Sequence, residues 1–233
     1  MTAITKRHWI ELIIRSVIFL LAVASYIVSK LTECELFKYI VQSVILLFFG
    51  YKMIARLIPN IKESIGNQKI FKSCYTQIEN LKKGIIGYNK KEGNRVAILV
   101  AIVWMLLNCI FFVLYFCGVI DRDLMMVIAM FFSVCDLVCI LVVCPFQLLF
   151  MRNKCCNTCR IYNWDFAMMF TPLWVVPSVI NYVLAGLSLI VLGHWEWHHK
   201  KYPERFYEDT NSCLNCANCK ELMCKNRLRK VNE

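Results

Sequence analysis

Seven of the chain's 14 cysteines fall into two clusters whose spacing suits metal chelation. One is Cys155, Cys156 and Cys159, and the other is Cys213, Cys216, Cys219 and Cys224. A Cys-x-x-Cys turn lets two thiolates reach one ion while nearby backbone N–H groups stabilise their charge. Zinc takes four such ligands in a closed tetrahedral site. These seven residues are therefore the expected ligand set of a thiolate metal site, with zinc as its cofactor.

An iron–sulfur cluster also takes four thiolates, and the tail run Cys213, Cys216, Cys219 has the repeated two-residue spacing that such clusters use. The fourth cysteine, Cys224, comes after four intervening residues and no proline follows it, which makes zinc the simpler expectation. Disulfides are the competing use, but an odd set of seven cannot pair completely within one chain. A redox-active dithiol is a third use, because a Cys-x-x-Cys turn lowers a thiol pKa. The remaining cysteines read as packing residues. Cys109, Cys117, Cys135, Cys139 and Cys144 lie in apolar stretches where a thiol behaves as a small hydrophobe, and Cys34 and Cys74 are isolated.

A second candidate site is intramembrane. Asp136 lies in the middle of a long apolar run, and a carboxyl at that depth is costly unless it faces a partner or a cavity. Asn108 and Asn181 fall at similar depths in other runs and are its expected hydrogen-bond partners. The trio either fastens helices together, at about 1 kcal/mol per contact, or lines a transport pathway. His194, His198 and His199 with Glu196 resemble one box of a membrane di-iron oxidase, but such enzymes need several boxes and the only other histidine is His8. One of these histidines remains a possible fourth zinc ligand. The chain has no Walker-type glycine loop, no Gly-x-Ser-x-Gly and no His-Glu-x-x-His.

The elements that must position these residues follow from composition. The chain has 233 residues, 59% hydrophobic and 18% charged, and the apolar residues gather into long runs. A spanning helix needs about 20 mostly apolar residues, and five segments qualify, roughly 10–28, 36–58, 96–119, 124–151 and 166–192. The expected fold is all-α, a polytopic integral membrane helix bundle of about five hydrophobic helices with a short Cys-rich tail. The first run is longer than a signal-peptide core, contains Glu11 and Arg15, and has no Ala-x-Ala cleavage site, so it reads as a retained helix. Helices one and two occupy 1–59, a basic amphipathic loop 60–95, helices three to five 96–193 with the Cys-rich loop 152–165, and the tail 194–233.

The net charge of +11 reads mainly as topology. Eight basic residues against three acids in 60–95, with Lys6 and Arg7 before the first run, place the N-terminus and that loop in the cytoplasm by the positive-inside rule. The fifth segment breaks the alternation. A full span puts outside a tail carrying eight lysines and arginines. Pro172 and Pro177 within that segment predict either a kinked span or a re-entrant hairpin. If the two cysteine clusters share a metal, the segment must re-enter.

The loop 60–88 carries an apolar stripe among lysines and predicts a helix, with Gly84 and Gly87 as a turn before the third span. Its partners are expected to be the bundle or anionic lipid headgroups. Trp195 and Trp197 read as interfacial anchors. Nucleic acid is not an expected partner, since the positive charge lies where topology requires it.

Overall fold

The computed structural model describes residues 3–32, 35–59, 61, 66–78, 84–151, 156–215 and 218. Five of its helices are long and apolar enough to cross a membrane: α1 (Ala3–Thr32), α2 (Glu35–Leu57), α4 (Ile85–Phe116), α5 (Arg122–Leu141) and α7 (Val179–Lys201). Two short helices, α3 (Asn67–Ile70) and α6 (Asp165–Phe170), complete the α-helical set among the described residues. Large apolar side chains stay outward around the bundle, with Ile13 and Leu20 at 62% exposure, Leu47 at 73% and Leu106 at 63%. Water-soluble monomers rarely present such a belt, whereas in lipid it is the favourable surface.

The core forms where α1, α2, α5, α6 and α7 meet. Ile45 and Phe49 of α2, Met130 of α5, Phe170 of α6 and Leu184 of α7 are fully enclosed there. Phe49 and Phe170 meet edge to face at 5.3 Å, a geometry worth about 1 kcal/mol beyond the area buried. α4 stands further out, tied to the rest by Trp104, whose ring packs 4.8 Å from Phe132 and whose indole N–H donates to Thr171 at 3.2 Å.

The expected fifth helix over 166–192 is not one helix, kinked or otherwise. α6 runs into a 3-10 helix, Thr171–Val175, with Pro172 in its first turn; the chain then breaks and α7 begins at Val179. Pro172 and Pro177 lack the N–H groups a continuous helix needs there. Arg160 and Trp164, before α6, bond Glu196 near the far end of α7. Val176, at the break, packs with Ile120 and Met125 beside the α4–α5 turn. The segment 160–196 is therefore a hairpin that enters and leaves at one end of the bundle.

That end, here called basal, is where α1 and α4 start and where α2, α5 and α7 finish. Ion pairs tie it together: Lys52 to Glu11 at 3.3 Å, Arg15 to Asp136 at 2.9 Å and Arg56 to Asp165 at 2.6 Å. At the opposite end, Lys30 pairs with Asp121 at 2.7 Å and Lys38 with Asp123 at 3.5 Å.

Three further expectations are corrected. α5 stops at Leu141 instead of running to Met151, because Pro145 cannot continue it, and a π-helical turn, Gln147–Met151, follows. The loop over 60–88 is not one amphipathic helix. Its described parts are α3, a 3-10 turn at Lys72–Cys74 and an extended stretch in which Gln77 bridges Asn211. α4 starts at Ile85, earlier than the apolar run implied. Gly84 precedes it at φ 87°, a conformation that favours glycine, while Gly87 lies inside the helix.

Candidate functional site

Cys156 opens a 3-10 turn, and the Cys159 N–H closes it by donating to the Cys156 carbonyl at 3.1 Å. Two buried cations flank the turn, each held by its own partner. The Lys69 ammonium, 1% exposed, donates to the Cys159 carbonyl at 2.8 Å and lies 5.5 Å from the Trp195 ring. Gly66 starts α3 so closely against Asn163 that a Cβ would collide with that side chain, which fixes where Lys69 enters. Arg160, next in the chain, makes a two-pronged bond to Glu196 at 2.9 and 2.7 Å; Trp164 donates to the same carboxylate at 2.7 Å. Trp195, expected at the lipid interface, is instead fully buried and donates its N–H to the Arg160 carbonyl at 3.2 Å. Only Trp197 keeps the interfacial position, 52% exposed with the Lys201 ammonium 4.7 Å over its ring.

The tail folds back onto this end. Cys213 lies in a 3-10 turn, Ser212–Leu214, whose cap is the Asn211 side chain accepting from the Cys213 N–H at 3.2 Å. Ser212 donates its N–H to the Thr76 carbonyl at 2.9 Å, and the Cys213 thiol lies 3.5 Å from the Thr76 hydroxyl. The Asn157 amide, inside the Cys156–Cys159 turn, donates to the Leu214 carbonyl at 3.4 Å. Cys156, Cys159 and Cys213 thus belong to two turns that touch. Below them Tyr207 bonds His199 at 2.8 Å, and burial raises its phenol to about 12. Tyr75, nearby, is raised by burial and then by Glu204.

Cys155, Cys216, Cys219 and Cys224 lie outside the described residues. Among the described residues no three His, Cys, Asp or Glu side chains converge as a metal-binding group, and Cys156, Cys159 and Cys213 are in no disulfide. The His194 and His198 rings lie tilted at 4.3 Å on α7, and among the described residues neither converges with the cysteines on a metal-binding group.

The polar trio predicted within the span does not assemble. Asn108 donates to the Trp104 carbonyl of its own helix at 2.9 Å, and Asn181 donates to the Val176 carbonyl at 3.3 Å. Asp136 pairs with Arg15, which also donates to the Ser133 carbonyl at 3.0 Å and to Glu11 at 2.9 Å. Around them is a narrow cleft lined by His8, Glu11, Arg15, Lys52, Arg56, Asp136 and Tyr162, with room for about one or two waters. The His8 Nδ1 and Arg15 Nε atoms are buried in it without a partner. The sequence did carry a signal for this group: Glu11 and Arg15 stand four apart inside an apolar run, where a buried charge needs its opposite one turn away.

The chain matches no family model, no curated protein and no solved structure.

Proposed function

We propose that the chain is a multi-pass membrane protein whose basal end faces the cytosol and carries a zinc–thiolate site joining the Cys155–Cys159 loop to the Cys213–Cys224 tail. The supporting observation is the Asn157 to Leu214 hydrogen bond, which sets the Cys156–Cys159 turn against the turn holding Cys213. The buried Lys69 ammonium, held to the Cys159 carbonyl, fixes the first turn against the base of the bundle. Zinc, bound by Cys156, Cys159 and Cys213 together with cysteines of the flanking segments, would lock the tail to the bundle and shape this end for a membrane-surface partner. Lys72, Lys90, Lys91, Lys200 and Lys201 at the same end suit a cytosolic leaflet rich in anionic lipid.

The test is metal analysis of the full chain purified under reducing conditions without chelator. About one zinc per chain is expected, lost in the Cys156→Ser, Cys213→Ser double variant and in Cys216→Ser, Cys219→Ser. A brown preparation with iron and labile sulfide would replace zinc by an iron–sulfur cluster. A metal-free chain of unchanged helicity would overturn the reading.

A second reading, a proton or ion pathway centred on Asp136, draws on the charged cleft and its unpartnered His8 and Arg15 nitrogens. Its test is flux through reconstituted vesicles, abolished by Asp136→Asn with insertion intact. Flux unchanged by that substitution would remove it.

A further inference from the structure

α7 divides into two faces. Asn181, Leu184, Ser188, Trp195 and His199 are buried against the bundle. The opposite stripe, Val179, Val183, Gly186, Ile190, Gly193 and Trp197, recurs every three or four residues along the whole helix. Its valines, isoleucine and tryptophan are exposed, and a Cβ added at Gly186 or Gly193 would meet nothing within 4 Å. Among the described residues this face is uncovered, and two side-chain-sized notches interrupt it on the way to Trp197.

At its basal end the stripe meets fixed cations. The Lys201 ammonium lies 4.7 Å from the Trp197 ring and 5.3 Å from the Tyr202 ring, within reach of both π-systems. Tyr202 is itself held in place. The Arg205 guanidinium lies 4.0 Å from its ring and donates to the Ile70 carbonyl at 2.9 Å. Lys200 and Lys201 are exposed, and neither forms an ion pair with a described residue. The acid of the same helix, Glu196, is taken by Arg160. The C-terminal end of α7 contributes about half a negative charge, which offsets only a quarter of the two lysines. The surplus is positive, and it sits where phospholipid headgroups begin.

We propose that this face of α7 holds one anionic phospholipid of the basal leaflet. Its phosphate rests on Lys200 and Lys201 beside Trp197, and an acyl chain lies along Ile190 and the notches at Gly193 and Gly186. The lengths agree, since the helix rises about 17 Å from Trp197 to Gly186 and one leaflet's hydrocarbon is about 15 Å deep. The apolar stripe takes any lipid. The lysines supply the choice, at about fivefold per lysine in favour of an anionic headgroup. Because Lys201 is already seated between two rings, little of that preference is lost in ordering its side chain. The inference rests on the membrane reading, but it uses no cysteine and does not depend on which side the basal end faces.

The test is native mass spectrometry of the full chain, purified in detergent with a chelator present and stripped of lipid. The chain is then offered equal amounts of dioleoylphosphatidylglycerol and dioleoylphosphatidylcholine. The expected result is one phosphatidylglycerol retained per chain, preferred by about 25-fold. The double variant Lys200→Gln, Lys201→Gln brings the preference close to one, and Lys201→Arg keeps it. Gly193→Leu leaves both lysines in place and loses the retained lipid, with helicity by circular dichroism unchanged. Equal retention of the two lipids, or a preference that survives loss of both lysines, would overturn the site. Retention unchanged by Gly193→Leu would reduce it to diffuse attraction of headgroups and overturn it equally. Displacement of the lipid by millimolar inorganic phosphate would replace the phospholipid by free phosphate. The chelator separates this outcome from the zinc reading, because a metal-free chain that retains the lipid counts against zinc alone.

Discussion

The Arg15 guanidinium, 1% exposed, donates to the Asp136 carboxylate at 2.9 Å and joins α1 to α5 across 121 residues of sequence. The same guanidinium holds Glu11, which in turn holds Lys52 of α2. One cation therefore fixes the register of three helices in a cleft too narrow to hydrate the charges fully.

Arg15→Ala leaves Asp136 without its cation and is expected to cost about 3 kcal/mol, the low end for breaking a buried pair, since the carboxylates border water. Asp136→Asn is expected to cost only about 1 kcal/mol, because its amide oxygen still accepts from Arg15. Replacing both, Arg15→Met with Asp136→Leu, should recover most of the loss, as apolar pairs of similar size do. Thermal unfolding of the detergent-purified variants checks the order. Equal losses for Arg15→Ala and Asp136→Asn would contradict it.

Glu196 closes the base of the hairpin by accepting from Arg160 and Trp164. Glu196→Ala strands the Arg160 charge, which is 5% exposed, and should cost about 3 kcal/mol. Glu196→Gln keeps one acceptor and should cost less. The readout is proteolysis near Tyr207, which should accelerate in the order wild type, Gln, Ala. A uniform cleavage rate would show that the hairpin base does not depend on this carboxylate.

The places where sequence and structure part have physical causes. Hydropathy located the spans because the bilayer demands long apolar runs whatever they pack against, and α1 and α2 lie close to where composition put them. It misplaced α7 because the run over 166–192 is apolar on both sides of Pro177, while the helix itself continues through His194–Lys201 on the strength of tertiary bonds such as Trp195 to Arg160. The apolar stripe over 60–88 has helical periodicity, yet Lys69, expected outside it, is drawn inside by the Cys159 carbonyl and the Trp195 ring, a pairing no local pattern encodes. Asp136 was legible as a site but its partner was not, since Arg15 reads locally as the partner of Glu11, one turn before it, and only the packing of α1 on α5 brings it to Asp136 as well. The touching of the two cysteine turns was legible only as a condition, that the fifth segment turn back, and Pro172 and Pro177 were the residues that carried it.

Asp121 caps α5, accepting from the Leu124 N–H at 2.8 Å, and pairs with Lys30. Burial alone would raise its carboxyl, but the bonds from Lys30 and Leu124 outweigh it and hold the group below the ordinary value of 3.8. A carboxyl so lowered stabilises the fold above its unfolded pKa, and that contribution is lost as pH falls through the folded value. Acid below about pH 4 should therefore destabilise the wild type more than Asp121→Ala. At neutral pH Asp121→Ala should cost about 1 kcal/mol from the lost cap, with little from the Lys30 pair, which is 57% exposed on the lysine side. Asp121→Asn, which still caps, should stay near wild type. Melting temperatures at neutral and acid pH decide this, and a loss for Asn equal to that for Ala would transfer the weight to the ion pair.

The hairpin makes a topological prediction that a five-span count alone reverses. Cys213 lies at the basal end beside Thr76, whereas Cys117 caps α4 at the other end and is exposed. In chains retaining only one of these two cysteines, a membrane-impermeant maleimide added to intact cells should label one and not the other. With the basal end in the cytosol, Cys117 reacts directly and Cys213 only after permeabilisation. Had α7 been an ordinary fifth crossing after a cytosolic loop, the tail would emerge on the Cys117 side and both would label from outside. Labelling of both without permeabilisation would thus overturn the hairpin, and with it the contact between the two cysteine turns. Labelling of Cys213 alone would keep the hairpin and invert the protein in the membrane, against the eight basic residues of 60–95.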